Sequence, residues 1–318
     1  MVEAEAIAAR GPRPRASHIF VVGLARTGTH LMQSVLNTSP AVRIGPESLF
    51  LGGAPRFGGL RRRGVASLFP RDDRPLSDEE AREIVGRLVG SGGRSAGRRD
   101  YWHGLARYVE PEELMERFLA TPRRARDLLD LALDIYARGR DIGGDKTPSN
   151  LFAIPTLLEW FPDARVIHML RDPRAVFASA IGKGFVGAGR LRLPRTETLQ
   201  LLLGFWWAFD VAARWRAAAA LDREYRSRYP DGYLACRLED LVTDPQTIIP
   251  PVCAFVGVPY TEAMLDRPVV SSSFLPRGSR GIRPEVAQRW RSELHPLLAR
   301  WTALLCGKAL QEHGYPAA

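Results

Sequence analysis

Apolar and polar positions in this chain alternate between two rhythms: short unbroken apolar runs, and longer stretches with an apolar residue every third or fourth place. The first run, Ile19 to Val22, is β-branched and aromatic, the pattern of a strand buried on both faces. Leu31, Met32, Val35 and Leu36 then recur at helical spacing, and Val42 to Ile44 predicts a second short strand. Ser77-x-x-Glu80 is a capping box opening a helix to about Val89, with helical patterns again at Pro111 to Leu119 and Pro122 to Ala137. Pro148 opens a helix running to Phe161. Arg165 to Leu170 predicts a strand and the following residues a helix to about Ile181. Thr196 to Tyr229 reads as one long helix with Phe205, Trp206, Phe209 and Ala213 on or near one face, so that Trp206 and Trp207 are expected in the core. Tyr233 to Arg237 is a strand, Thr247 to Val256 a helix, and a last helical region starts at Glu285.

Strands alternating with helices predict an α/β fold: a P-loop-like, mostly parallel sheet with helices on both faces and a helical insertion. Residues 1–17, with Pro12 and Pro14 among arginines, read as a mobile N-terminal arm, and 18–318 as a single α/β domain. The insertion is 52–140; its Gly-, Arg- and Pro-rich part at 52–76 suits a surface loop or lid, and 90–100 a flexible stretch. Residues 182–194 form a further loop and 271–284 a basic one. The sequence carries no internal repeat.

The net charge of +10 over 318 residues is carried almost wholly by arginine, since only Lys146, Lys183 and Lys308 are lysine. A basic surface favours anionic ligands, and no nucleic-acid-binding module is recognisable. The three cysteines, Cys236, Cys253 and Cys306, are scattered without metal-ligand spacing, and Cys236 and Cys253 read as core thiols. No stretch reaches the roughly 18 apolar residues of a membrane span; Leu199 to Phe209 comes nearest, and Asp210 closes it. The arm has no apolar core of signal-peptide length, so a cytoplasmic setting is expected.

Strand, glycine loop and helix from Ile19 to Leu36 build an anion site, because a helix N-terminus presents unpaired N–H groups and the positive end of its dipole. Gly23-x-x-x-x-Gly28 has the spacing of a Walker A loop, yet Thr29 and His30 stand where that loop needs Lys and Ser/Thr for phosphate and magnesium. The cation, Arg26, lies inside the loop instead, which points to a different anion held without a metal. An ordinary βα turn and a degenerate NTPase loop are the competing readings. Arg171, at a strand end, and Ser179, eight residues on, reach one side of the sheet edge; a guanidinium fork with a hydroxyl suits a phosphate monoester. Alternatively Asp172-Pro173 only starts a helix and Arg171 pairs with a surface carboxylate.

Together these motifs resemble the sulfotransferases that use 3′-phosphoadenylyl sulfate (PAPS). The resemblance rests on Gly-x-x-Arg-Thr-Gly-Thr after the first strand, Asp145-Lys146-Thr147-Pro148, and Arg171-Asp172-Pro173-Arg174 with Ser179 beyond. Arg237-x-Glu239-Asp240-Leu241, Asp244-Pro245 and Phe255-x-Gly257-Val258-Pro259 extend it. It covers 19–48 and 143–260 well and 271–296 loosely, while 52–140 match nothing. It implies that Arg26, Thr27, Gly28, Thr29 and His30 form the 5′-phosphosulfate loop and that Arg171 and Ser179 hold the 3′-phosphate. Arg277, Arg280 and Arg283 compete to complete that site. The steroid- and phenol-type relatives have a catalytic His after the Lys-Thr pair, where this chain has Pro148. The tyrosylprotein type uses a glutamate soon after the first helix, and Glu47, twenty-one residues beyond Arg26, fits that pattern.

The implied activity is in-line sulfuryl transfer from PAPS to a small-molecule hydroxyl acceptor (an alcohol, phenol, sugar or lipid head group), with Glu47 as base and Arg26 and Lys146 neutralising developing charge, and with no metal. A P-loop-type ATP-dependent kinase and a non-catalytic nucleotide-binding protein are the alternatives. Leu238 replaces an aromatic that lies near the adenine in some relatives, and His103 could line an acceptor pocket.

Overall fold

A computed structural model describes residues 15–53, 63–89, 105, 108–181, 185–186, 189–190, 197–266 and 281–317. The arm as far as residue 14, the 90–100 stretch, His103, and the basic loop through 280 with Arg277 and Arg280 lie outside the described residues. The chain opens with β1 (His18–Gly23), α1 (Thr29–Leu36) and β2 (Val42–Gly45). A 3-10 turn at Val65–Leu68, then α2 (Asp78–Val89), α3 (Pro111–Leu119) and α4 (Ala125–Ala137), leads to β3 (Ile142–Asp145). A 3-10 helix at Pro148–Ala153 runs into α5 (Ile154–Trp160), β4 (Arg165–Leu170) and α6 (Pro173–Ile181). A small antiparallel pair, β5 (Phe185–Val186) and β6 (Gly189–Arg190), precedes α7 (Glu197–Arg228), β7 (Tyr233–Arg237), α8 (Leu238–Thr243) and α9 (Pro245–Val256). Short helices α10 (Glu285–Gln288), α11 (Trp290–Glu293), α12 (Pro296–Cys306) and α13 (Lys308–Glu312) finish the chain.

The main sheet has the order β2-β3-β1-β4-β7, and every neighbouring pair is parallel. β1 lies at the centre, and its apolar run serves both faces. Phe20 and Val22 point into a core built with α2 to α5 and α7, while Ile19 and Val21 point into one built with α1, α8 and α9. The chain passes to one side of β1 for β2 and β3 and then crosses to the other for β4 and β7. That reversal is a topological switch point, and ligands in such sheets bind outside the carboxyl ends of the strands beside it.

β3 is the strand that the apolar pattern does not announce, because two of its four residues are Gly143 and Gly144. The glycines have a packing reason. A Cβ on Gly144 would lie 2.4 Å from the Ile19 carbonyl oxygen, and one on Gly143 would lie 2.7 Å from that of Leu133 in α4. Only bare backbone fits between β1 and α4, so the strand gives up its side chains to close the sheet.

Several expected boundaries shift for identifiable reasons. α4 starts at Ala125 rather than Pro122, where the Arg124 N–H donates to the Asp127 carboxylate at 2.8 Å and caps the helix. The helix expected from Pro148 to Phe161 divides at Ala153, ahead of Pro155, which has no N–H to continue the ladder. Trp207 is buried, but Trp206 is 64% exposed, which corrects its expected place in the core. Phe69 and Leu76, within the expected surface loop, are buried; the Phe69 ring lies 6.5 Å from Phe50 and 6.3 Å from Phe118. The capping box is present, with the Ser77 N–H donating to Glu80 at 2.8 Å and the Glu80 N–H to Ser77 Oγ at 3.3 Å. All three cysteines are buried, and none is in a disulfide. No described helix is long and apolar enough to cross a membrane.

Candidate active site

The loop after β1 turns through two left-handed residues, Arg26 at φ 79° and Gly28 at φ 94°. Gly28 suits this conformation, and a Cβ there would also stand 2.7 Å from Leu238 Cδ1. Arg26 does not suit it, so tertiary bonds have to hold it. Two do: Arg26 Nε donates to Ser179 Oγ at 2.9 Å, and its carbonyl oxygen accepts from Arg171 Nη1 at 3.0 Å. Thr27 Oγ1 closes the loop on the Leu24 carbonyl at 2.8 Å. Gly28 then caps α1 without a side-chain hydrogen bond. The first-turn N–H groups of Thr29 and His30 therefore open toward the loop, as an anion site requires.

The carboxyl ends of β2 and β3 bring Glu47 and Lys146 together. Lys146 Nζ donates to Glu47 Oε1 at 2.7 Å and stands 3.2 Å from His30 Nε2. The Lys146 side chain is 2% exposed and that of Glu47 43%, so the carboxylate sits at the mouth of the site and the ammonium at its floor. Burial, and then the adjacent Lys146 ammonium, hold the His30 imidazole down at about 4. It is neutral at physiological pH, with Nε2 free to accept from Lys146. Gln33 in α1 donates to the Ile44 and Gly45 carbonyls at 3.0 and 2.7 Å, tying the helix to the strand end that carries Glu47.

On the other side of β1, Arg171 follows β4 and is 6% exposed. Its Nη2 donates to the Val286 carbonyl at 3.2 Å, its own carbonyl accepts from Trp215 Nε1 at 2.9 Å, and its buried Nε has no partner among the described residues. Burial pulls both the Arg171 and the Arg26 guanidinium below the usual value. Arg171 and Ser179 share a small cleft with Val286, Arg289, Trp290 and Glu293.

Arg26, Thr27, Gly28, Thr29, His30, Glu47, Lys146, Arg171 and Ser179 thus come to one edge of the sheet. Arg283 lies exposed before α10. Among the described residues the arginine that lines the cleft beside Arg171 is Arg289, which the sequence reading did not pick out because it sits in no recognisable motif. Sequence reasoning also misses Asp145 and Ser48, although Asp145 stands inside the Asp-Lys-Thr-Pro motif. No group of three or more His, Cys, Asp or Glu side chains placed to hold a metal occurs among the described residues.

A parallel sheet with a glycine loop after its central strand, and cations from three strand ends around that loop, is a P-loop-like α/β arrangement. The chain belongs to the sulfotransferase family, whose model matches residues 18–262. It is 28% identical over 162 residues to omega-hydroxy-beta-dihydromenaquinone-9 sulfotransferase Stf3 of Mycobacterium bovis and of Mycobacterium tuberculosis. That match takes in 50% of this chain and 39% of the relative, so the chain spans well under half the length of the curated proteins it matches. In structure it is similar to the sulfotransferase domain of the Synechococcus PCC 7002 olefin synthase, with TM-score 0.59, 20% identity, and coverage of 97% of this chain and 98% of that domain. It is also similar to the sulfotransferase domain of the curacin biosynthetic pathway, with TM-score 0.52, 16% identity, and coverage of 96% and 100%. Both likenesses are of the fold.

Proposed function

We propose that this sulfotransferase moves the sulfuryl group of PAPS to a hydroxyl of a small-molecule acceptor, in line, with Glu47 as general base. The observation that carries the reading is the double tie on Arg26, which joins the loop after β1 to both Arg171 and Ser179. It makes one continuous cationic surface from the loop to the buried Arg171. The residues suit a donor with two anionic ends. The unpartnered Nε of Arg171 wants an acceptor such as a phosphate oxygen, and the α1 N-terminus wants a second anion.

PAPS, when bound, supplies an activated sulfuryl group on a phosphate leaving group. Thr27, Gly28, Thr29 and His30 would hold its 5′ end, and Arg171, Ser179 and Arg289 its 3′-phosphate. Glu47 takes the acceptor's hydroxyl proton on a carboxylate oxygen, and its exposure at the mouth lets an acceptor reach it. Such base assistance is typically worth ~10²–10⁴-fold. Lys146 and Arg26 stand as fixed cations where charge builds on the leaving side, the task that magnesium serves in kinases. Neutral His30 adds no charge beside the Glu47–Lys146 pair. The mycobacterial relative is named for a hydroxylated menaquinone, which agrees with a hydroxyl acceptor. Three buried cysteines, none in a disulfide, suit a reducing cytoplasm.

The test is transfer of label from radiolabelled PAPS, in EDTA, to a panel holding a phenol, a primary alcohol, a sugar and a hydroxylated isoprenoid lipid. Label in an acceptor with the wild type and its loss with Glu47→Gln are expected. Label transfer that Glu47→Gln leaves intact would remove the base, and phosphorylation of an acceptor from magnesium-ATP would replace the reaction.

A further inference from the structure

We infer that Asp145 is a positioning residue: it fixes the Glu47 and Lys146 loops to each other, so that the pair forms before any substrate arrives. This rests on the reading of Glu47 and Lys146 given above. Asp145 is the last residue of β3 and lies opposite Gly45, the last of β2. It is 1% exposed. Its Oδ1 accepts from the Ser48 N–H at 3.1 Å and from Thr147 Oγ1 at 3.1 Å; its Oδ2 accepts from Ser48 Oγ at 3.1 Å and from Asn150 Nδ2 at 2.9 Å. Each oxygen is therefore doubly engaged, and the bonds fall on the neighbours of both reactive groups, Ser48 beside Glu47 and Thr147 beside Lys146.

The clamp extends further. Thr147 Oγ1 accepts from the Leu49 N–H at 3.3 Å, Ser48 Oγ accepts from the Phe50 N–H at 3.2 Å, and Ser149 Oγ donates to the Gly52 carbonyl at 2.8 Å. Leu49 sits at φ 51°, a conformation that a branched side chain does not choose on its own. The backbone beyond Glu47 is thus bent against its preference and held there by the β3 loop. A carboxylate suits this post because it only accepts, and all four groups around it donate. Burial pushes its carboxyl up to about 6, against the donors that favour the anion. A polar group retained at that cost, one residue from Lys146, has a task beyond filling space.

The chain's three lysines make the test direct, because [ε-13C]lysine labelling gives one side-chain signal each for Lys146, Lys183 and Lys308. Lys183→Arg and Lys308→Arg assign the Lys146 signal by elimination. In the resting protein, Glu47→Gln displaces that signal by removing its carboxylate. Asp145→Asn, which puts an amide N–H₂ among donors, is expected to move the Lys146 signal most of the way to the same position while Lys183 and Lys308 stay. Added to Glu47→Gln, it moves the signal little further, since coupled residues are non-additive. A Lys146 signal unmoved by Asp145→Asn but moved by Glu47→Gln would overturn the proposal, as would full additivity. If Asp145→Asn does not fold, Ser48→Ala and Asn150→Ala each remove one donor and are read in the same way. A separate arm adds adenosine 3′,5′-bisphosphate: no response of Lys146 counts against the PAPS reading and leaves the Asp145 result standing.

Discussion

Lys146 Nζ lies 2.7 Å from Glu47 Oε1, joining the ends of two adjacent parallel strands by a single ion pair with one buried and one exposed partner. The arrangement aims the carboxylate while its side chain stays 43% exposed at the mouth. On the proposed reading Pro148 can follow Lys146-Thr147, because the base would come from the loop after β2 and the β3 loop would supply the cation.

Removing the base should separate chemistry from binding. Glu47→Gln keeps the shape and leaves Lys146 in place, so turnover should fall ~10²–10⁴-fold. Affinity for adenosine 3′,5′-bisphosphate, by calorimetry, should change no more than about threefold, because among the described residues the cation that Glu47 pairs with is Lys146, which stays in place.

Arg171→Ala should weaken binding of adenosine 3′,5′-bisphosphate by roughly 10- to 100-fold, the worth of a lost charged hydrogen bond. Adenosine 5′-phosphate, which lacks the 3′-phosphate, should be affected far less. Arg171→Lys should not restore the loss, because a point charge cannot both donate to the Arg26 carbonyl and present a planar fork. Equal weakening of the two nucleotides would assign Arg171 to the fold alone.

Much of this could be read from the sequence, and the parts that could not have physical causes. β1, α1, β4 and α6 were legible because a buried parallel strand is continuously apolar and a covering helix repeats at 3.6 residues. β3 was hidden, since closing the sheet there requires the absence of side chains at Gly143 and Gly144. Trp206 was misplaced because an all-apolar helix segment does not say which face is covered. Within the site, Arg26, Lys146, Arg171 and Ser179 stood in motifs. Asp145 stands in one too, but its tie to Ser48 spans 97 residues, and Arg289 lies in the cleft beside Arg171, juxtapositions that only the folded chain makes.

The two glycine environments give a stability test. Gly144→Ala forces a Cβ against the Ile19 carbonyl in the central sheet and should abolish folding or lower the melting temperature severely. Gly86→Ala, in α2 with nothing within 4 Å of the added methyl, should stabilise by roughly 0.5–1 kcal/mol. Thermal melts of the two variants beside the wild type decide it.

Asp145 also sets a sign for acid behaviour. Its folded value of about 6 lies above the ordinary 3.8, so the folded state holds the proton more tightly. Its contribution to stability is full below the unfolded value and is lost as pH rises through the folded one. The stability of the wild type relative to Asp145→Asn should therefore be greater at about pH 4 than at about pH 7, by urea unfolding. A difference that grew with pH would place the clamp's carboxyl in a different electrostatic setting. His30, held down at about 4, contributes in the opposite direction over nearly the same window, which is why the comparison is made between variants.

The most direct measurement is calorimetric titration of the whole protein with adenosine 3′,5′-bisphosphate and with ATP, each with and without magnesium. Tight binding of the bisphosphate, indifferent to magnesium and weakened roughly 10- to 100-fold in Arg171→Ala, is the expected result. Preference for magnesium-ATP over the bisphosphate would contradict the account.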